Sequence, residues 1–188
     1  MYIYYADMRG RDENLSKLSG RSTTPGSAFA MSLLQYALGK SYGLPITEIS
    51  VTHTGRPFLT GYENIHYSLS HSRGHIFCVV ADWLVGADIE PVTRHVKTSL
   101  IDQLTTEGER EDFDFISLWT LRESYFKVKG GDLRTLRFSR DGGRITPPTD
   151  DVFCRLYEPN SDTVAAICSV RDCFAENIET VPAAELMR

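Results

Sequence analysis

The chain has 188 residues, 41% hydrophobic and 24% charged, which is ordinary globular composition and enough length to bury a core without staples. Its formal net charge of −5 argues against a dedicated nucleic-acid binder. No apolar run approaches the ~20 residues that span a bilayer, and Met1–Asp7 lacks the basic start and long apolar stretch of a signal peptide, so a soluble, cytoplasmic protein is expected.

In chain order, Tyr2–Ala6 alternates aromatic and aliphatic residues and reads as a strand. A helix is expected over about Ser27–Gly39, with Phe29, Leu33, Tyr36 and Ala37 at helical spacing and Gly39, Gly43 and Pro45 to stop it. Ile49–His53 reads as a strand ending in the turn Thr54-Gly55-Arg56-Pro57. Three more strands follow, Ile65–Leu69, Ile76–Ala81 and Leu84–Glu90, joined by Ser70–Gly74 and by Asp82-Trp83. A second helical section after Pro91 includes Ser99–Leu104, and the longest helix runs from about Asp112 to Lys129, where Gly130-Gly131 caps it. Leu136–Ser139, Arg144–Thr146, Val152–Tyr157 and Val164–Val170 alternate as strands, with turns at Asp141-Gly142-Gly143 and Pro159–Asp162. The last fifteen residues give no firm assignment. The order predicts an α+β fold with two similar halves and no strong linker.

Cys78, Cys154, Cys168 and Cys173 show no metal or redox spacing, and Cys78 and Cys168 lie in apolar runs that predict buried, reduced thiols. From Asp150 onward eight acidic residues face three basic ones, which reads as a solvated surface.

The chemistry concentrates in two places. Strand alternation puts Asp88 and Glu90 on one face and turns Val85, Ala87 and Ile89 to the core, while Gly86 allows close backbone approach. Two acids at a strand end can equally be a solvated rim. Glu123 and Lys127, four apart, share one edge of the long helix, although an isolated pair of this kind contributes only a few tenths of a kcal/mol. Phe115, Leu118, Trp119 and Phe126 form an apolar stripe with Arg122 almost in its middle, so that arginine must find interior partners or line a cleft. Ser70 and His71 sit where the chain turns, as a polar loop or a phosphate contact, and Gly55-Arg56-Pro57 is a rigid turn projecting a guanidinium suited to phosphate. Three carboxylates and a lysine, with no thiol or imidazole among them, suit a hard cation and a phosphate.

In combination, Gly55-Arg56-Pro57, Tyr67–Ser72, Val85–Glu90 and Leu118–Lys127 resemble, in order and spacing, the 4′-phosphopantetheinyl transferase superfamily in its longer, Sfp-like type. The resemblance is good over about residues 50 to 130 and rests on layout elsewhere. It implies transfer of the phosphopantetheine arm of coenzyme A to a serine of an acyl, peptidyl or aryl carrier protein. Asp88, Glu90 and Glu123 would hold Mg²⁺ against the pyrophosphate. Lys127, Ser70 and His71 would meet phosphates, and Arg56 the nucleotide end. Glu123 is the candidate to remove the serine proton, with Lys127 neutralising charge. Some 85 residues precede the aspartate motif, which leaves room for an N-terminal lobe, 1–84, beside a C-terminal lobe, 85–188. The implied form is an intramolecular pseudo-dimer, monomeric, with the site between lobes.

Departures from the family pattern are visible too. The motif usually has lysine where Arg122 stands. Longer members often carry basic residues for the 3′-phosphate on the first helix, which Ser27–Gly39 lacks, leaving Arg21 as a possible substitute. The stretch between Glu90 and Trp119 is short, and there Arg94, His95 and Lys97 with Leu100, Ile101 and Leu104 form a candidate carrier-docking patch, or simply a charged surface over a core-facing helix. A degenerate homologue binding coenzyme A or carrier without transfer, and an unrelated Mg²⁺-dependent phosphohydrolase, are the other readings these residues leave open.

Overall fold

The computed structural model describes residues 1–11, 25–44, 49–51 and 57–187. The first half is strand β1 (Tyr2–Asp7), helix α1 (Pro25–Tyr42), a short hairpin of β2 (Ile49–Val51) and β3 (Pro57–Leu59), and an antiparallel pair, β4 (His66–Ser72) and β5 (His75–Ala81). The second half begins with β6 (Val85–Pro91) and continues through α2 (Thr98–Leu104), α3 (Glu107–Asp112) and α4 (Phe115–Lys129). It then makes a hairpin of β7 (Ser139–Asp141) and β8 (Arg144–Thr146) and a pair, β9 (Phe153–Asn160) and β10 (Thr163–Ser169). In both halves the first strand pairs with the last, giving orders β1-β5-β4 and β6-β10-β9. The chain then returns to the first sheet: β11 (Glu179–Thr180) adds parallel to β1, and α5 (Ala183–Leu186) packs with Val181 into the cluster under α1.

Four layers result. Phe29, Leu33, Leu34, Ala37 and Leu38 of α1 cover one face of the first sheet, against Tyr4, Ala6, Ile76, Cys78 and Val80. Its other face, Ile3, Tyr5, Phe77 and Val79, packs on Val85, Ala87, Ile89, Ala165 and Ile167 of the second sheet. The far face of the second sheet is covered by α4 through Leu118, Leu121, Tyr125 and Val128. Strands buried on both faces lose their polar alternation, which is why β5 and β10 read as continuous apolar runs.

Several boundaries differ from the sequence expectation, each for a local reason. Gly39 stays inside α1, and Gly43, at φ 66°, ends it with its amide on the Gly39 carbonyl at 3.0 Å. The long helix starts at Phe115 rather than Asp112, because Asp114 caps it, accepting from the Ser117 amide at 3.0 Å, and a separate short helix, α3, precedes it behind the capping box of Thr106 and Glu109. β4 runs on to Ser72 before the turn at Arg73 and Gly74, both at positive φ, so Ser70 and His71 are strand residues and not part of a turn. Leu136 and Phe138 pack into the core under α4 ahead of a strand that starts only at Ser139. Cys78 is buried and free, but Cys168 is not a free thiol: it lies opposite Cys154 across β9–β10, Cα atoms 4.3 Å apart, in a disulfide. Among the described residues no helix is long and apolar enough to cross a membrane.

Candidate active site

The site is built where α4 presses on β6. A Cβ at Gly86 would fall 2.1 Å from the Ser124 carbonyl oxygen, so only glycine permits this approach. The buried Ser124 hydroxyl lies 2.8 Å from the Thr120 carbonyl and 2.9 Å from that of Ala166, fastening helix to sheet. The close approach brings Lys127 over Asp88. Its ammonium donates to Asp88 Oδ1 at 2.9 Å, to the Ala87 carbonyl at 2.7 Å and to the Leu69 carbonyl at 3.4 Å. The ion pair of Lys127 is thus across to the strand, not along the helix to Glu123.

β4 and β6 are edge strands of their sheets, and their seam is closed by side chains. Ser68, Ser70 and Ser72 alternate along β4 and all engage β6. The Ser68 hydroxyl accepts from the Ala87 amide at 2.8 Å, Ser70 donates to Asp88 Oδ1 at 2.7 Å, and Ser72 donates to Glu90 Oε2 at 2.7 Å. Three hydroxyls do here what a backbone ladder does elsewhere. The Ser-x-Ser-x-Ser spacing is the signal in the sequence that extends the strand past Leu69, through Ser70 to Ser72.

Electrostatically the site is an anionic pocket with two resident cations. Asp88 and Glu90 are buried, and Asp88 Oδ2 has no hydrogen-bond partner. Glu90 Oε1 is held by Arg94, a role for that arginine that the sequence did not suggest. The Glu123 carboxyl is pushed above the ordinary carboxylate range, first by burial, then by the charge of Asp88 and, less, of Glu90, with Lys127 and Arg94 opposing. Asp88, Glu90, Glu123 and Lys127 are therefore neighbours at this seam. Among the described residues, however, no three His, Cys, Asp or Glu side chains stand at metal-ligand spacing, and Lys127 and Arg94 hold two of the acids in ion pairs.

His71 is exposed and lies across the first turn of α1, where a Cβ on Gly26 would meet its Nδ1 at 2.6 Å and the Ser27 hydroxyl stands 3.4 Å from Nε2. Arg56 and Arg21 lie outside the described residues. Arg122 resolves its two options in favour of the interior: it is fully buried and binds Glu109 and the Leu104 carbonyl. The remaining apolar residues of α4 do not form the expected core stripe. Phe115, Trp119 and Phe126 instead join Val96, Leu100 and Leu104 around an open cavity of about 500 Å³, with Arg94 and Arg134 also lining it. α2 buries no residue, and Leu100 and Phe126 are 44% and 42% exposed, more apolar surface than a solvated helix pair needs.

No family model matches the chain. Curated relatives do. A 4′-phosphopantetheinyl transferase of Bacillus subtilis is 29% identical over 175 residues, covering 82% of this chain and 78% of the relative. The 4′-phosphopantetheinyl transferase psf-1 of Bacillus pumilus is 26% identical over 167 residues, 78% and 72% of the two chains. Sfp of Bacillus subtilis strain 168 is 24% identical over 175 residues, again 82% and 78%. Several such relatives match across most of the chain, and the seam gathers Asp88, Glu90, Glu123 and Lys127: the chain is similar to the Sfp-like 4′-phosphopantetheinyl transferases.

Proposed function

We propose that the protein transfers the 4′-phosphopantetheine arm of coenzyme A to a serine hydroxyl of an apo carrier protein, giving holo carrier and adenosine 3′,5′-bisphosphate. The observation that carries this reading is the meeting of three carboxylates and one lysine at the β4–β6–α4 seam. The residues fit Mg²⁺ in kind: Asp88 Oδ2 is buried and has no hydrogen-bond partner among the described residues, and Glu123 is raised by burial and then by its acidic neighbours. Asp88, Glu90 and Glu123 would hold it, and when bound it would neutralise charge on the pyrophosphate oxygens.

The chain's own groups do the rest. The serine oxygen attacks the phosphorus next to the pantetheine, and the bond to the bridging oxygen breaks, leaving adenosine 3′,5′-bisphosphate. Glu123, whose proton affinity is already raised, takes the hydroxyl proton. Lys127 exchanges Asp88 for a phosphate oxygen and offsets the charge on the leaving group. Ser70 fixes the orientation of Asp88. His71, beside the first turn of an 18-residue helix, and the amides of that turn suit a further phosphate of coenzyme A, with Arg56 and Arg21 assigned to its nucleotide end.

The repeated strand orders support reading residues 1–84 and 85–188 as lobes of a monomeric pseudo-dimer, working in the cytoplasm. The cavity between α2 and α4, apolar and edged by Arg94 and Arg134, suits a helix of an acidic carrier. Incubating the protein with coenzyme A, Mg²⁺ and a panel of apo carrier proteins, then weighing the carriers, tests the reading. Added mass of the arm on a carrier is expected. Cleavage of coenzyme A without it would indicate a hydrolase, and binding without either would indicate a degenerate homologue.

A further inference from the structure

α2 forms one wall of the apolar cavity yet buries none of its residues, so something other than a hydrophobic face must hold it in place. The described residues show two ties. One is exposed: Arg110 reaches the Thr105 carbonyl at 3.3 Å and its hydroxyl at 3.1 Å, with a 3.8 Å ion pair to Asp102, contacts that water and salt weaken. The other is buried. Arg122 Nη1 donates to the carbonyl of Leu104, the last residue of α2, at 2.7 Å, while Nη2 donates to Glu109 Oε1 at 2.8 Å. Glu109 is itself fixed, accepting from the Thr106 amide at 3.0 Å and the Phe138 amide at 3.3 Å. The guanidinium thus binds the end of α2, the first turn of α3 and α4 at one point.

We propose that Arg122 is a positioning residue for the carrier: through the Leu104 carbonyl it holds the α2 wall of the cavity at the width a carrier helix needs, without touching either substrate. The proposal rests on the reading of this cavity as the carrier-docking surface. Arginine is required because its two nitrogens diverge to two acceptors. The lysine usual at this motif position would have to meet both acceptors from a single nitrogen on a flexible stem, without the fixed divergence of the guanidinium. The short stretch between Glu90 and Trp119 leaves few other residues to brace the wall.

The test compares wild type with Arg122→Lys, which keeps a cation beside Glu109 and gives up the divergent reach of the guanidinium to the Leu104 carbonyl. Amide hydrogen exchange over 98–104 should quicken about tenfold, the equivalent of one such hydrogen bond, while residues 118–128 keep their protection. The KM for an apo acyl carrier protein should rise by a similar factor, with kcat and the KM for coenzyme A within about twofold of wild type. Should Arg122→Lys not fold, the double variant Glu109→Leu with Arg122→Met, an apolar pair replacing a buried ionic one, carries the same expectation. Unchanged exchange in α2, or equal increases in both KM values, would overturn the role. Leu100→Glu separates the two layers of the argument. If it raises the carrier KM and Arg122→Lys does not, only the role of Arg122 falls; if neither does, the docking surface lies elsewhere.

Discussion

Lys127 can be tested against the modest alternative that it only pairs along a helix. Lys127→Met keeps the apolar stem and removes the ammonium. Asp88, 7% exposed, would then have only the Ser70 hydroxyl at 2.7 Å on one oxygen and nothing on the other. Breaking a fully buried ion pair by removing one partner costs about 3–5 kcal/mol. The Lys127 side chain is 29% exposed, so water can reach part of the vacated space and a smaller cost, about 2–3 kcal/mol, is expected. For a chain of this size that is a fall in Tm of roughly 5–10 °C. A pair along one helix would cost only about 0.3–0.5 kcal/mol.

Urea denaturation of wild type, Lys127→Met, Asp88→Asn and the double variant gives the coupling between the two residues. Lys127→Met should cost its full amount with Asp88 present and less than about 1 kcal/mol once position 88 is neutral. A loss of a few tenths without coupling would refute the inter-strand tie. Coenzyme A titrations on the same proteins ask the second question, since a charge-assisted phosphate contact predicts weakening by one to a few powers of ten, about 1.5–4 kcal/mol. Lost stability with unaltered coenzyme A affinity would leave Lys127 a structural tie and remove it from phosphate binding.

Glu123→Gln should raise the stability of the protein in chelator, because a carboxyl whose folded pKa lies above its unfolded value makes the fold less stable as pH rises from the acid range through the folded value. Thermal melts from pH 4 upward should show that decline in wild type and a flatter curve in the variant, and Mg²⁺ should raise Tm in wild type alone. Gly86→Ala puts a methyl into the Ser124 carbonyl and should cost about 2–4 kcal/mol by forcing α4 off β6, with transfer lost in the same protein; near-normal melting and turnover would mean the two elements are not this close. Arg94→Glu with Lys97→Glu should raise the KM for an acidic carrier, more so at low salt, and hardly move that for coenzyme A; equal effects on both would reflect the loss of the Arg94–Glu90 pair rather than docking.

Much of this was legible because it is local. The period of a strand alone puts Asp88 and Glu90 together, Gly130 ends α4 at φ 76° as its position suggests, and Gly86 admits a neighbour as an isolated strand glycine should. What was illegible depended on elements distant in sequence. The stripe of Phe115, Leu118, Trp119 and Phe126 has correct helical spacing, yet α4 meets the sheet on the side of Gly86 and Ser124, so of the four only Leu118 joins Leu121, Tyr125 and Val128 in the core. Arg122 could not be placed until Glu109, in a capping box 13 residues earlier, was known to be buried beside it. Ser70 and Ser72 read as a turn because their partners belong to a strand 18 residues on.

The same limit applies to the chemistry, and it bears on how the site must work. Sequence can gather acids on a face, but it does not show what neutralises them. Here three carboxylates meet two cations, Lys127 on Asp88 and Arg94 on Glu90, while Glu123 is raised by burial and then by the other acids, and Asp88 Oδ2 has no partner among the described residues. A site balanced this way holds its acids together at modest cost while empty, since each buried charge but one has a partner. It also means that the groups proposed to receive the substrate are engaged beforehand. Lys127 has to leave Asp88 to reach a phosphate, and Asp88 then needs another cation in its place. Loading of pyrophosphate and of divalent cation should therefore be mutually reinforcing, each tightening the other by the same factor.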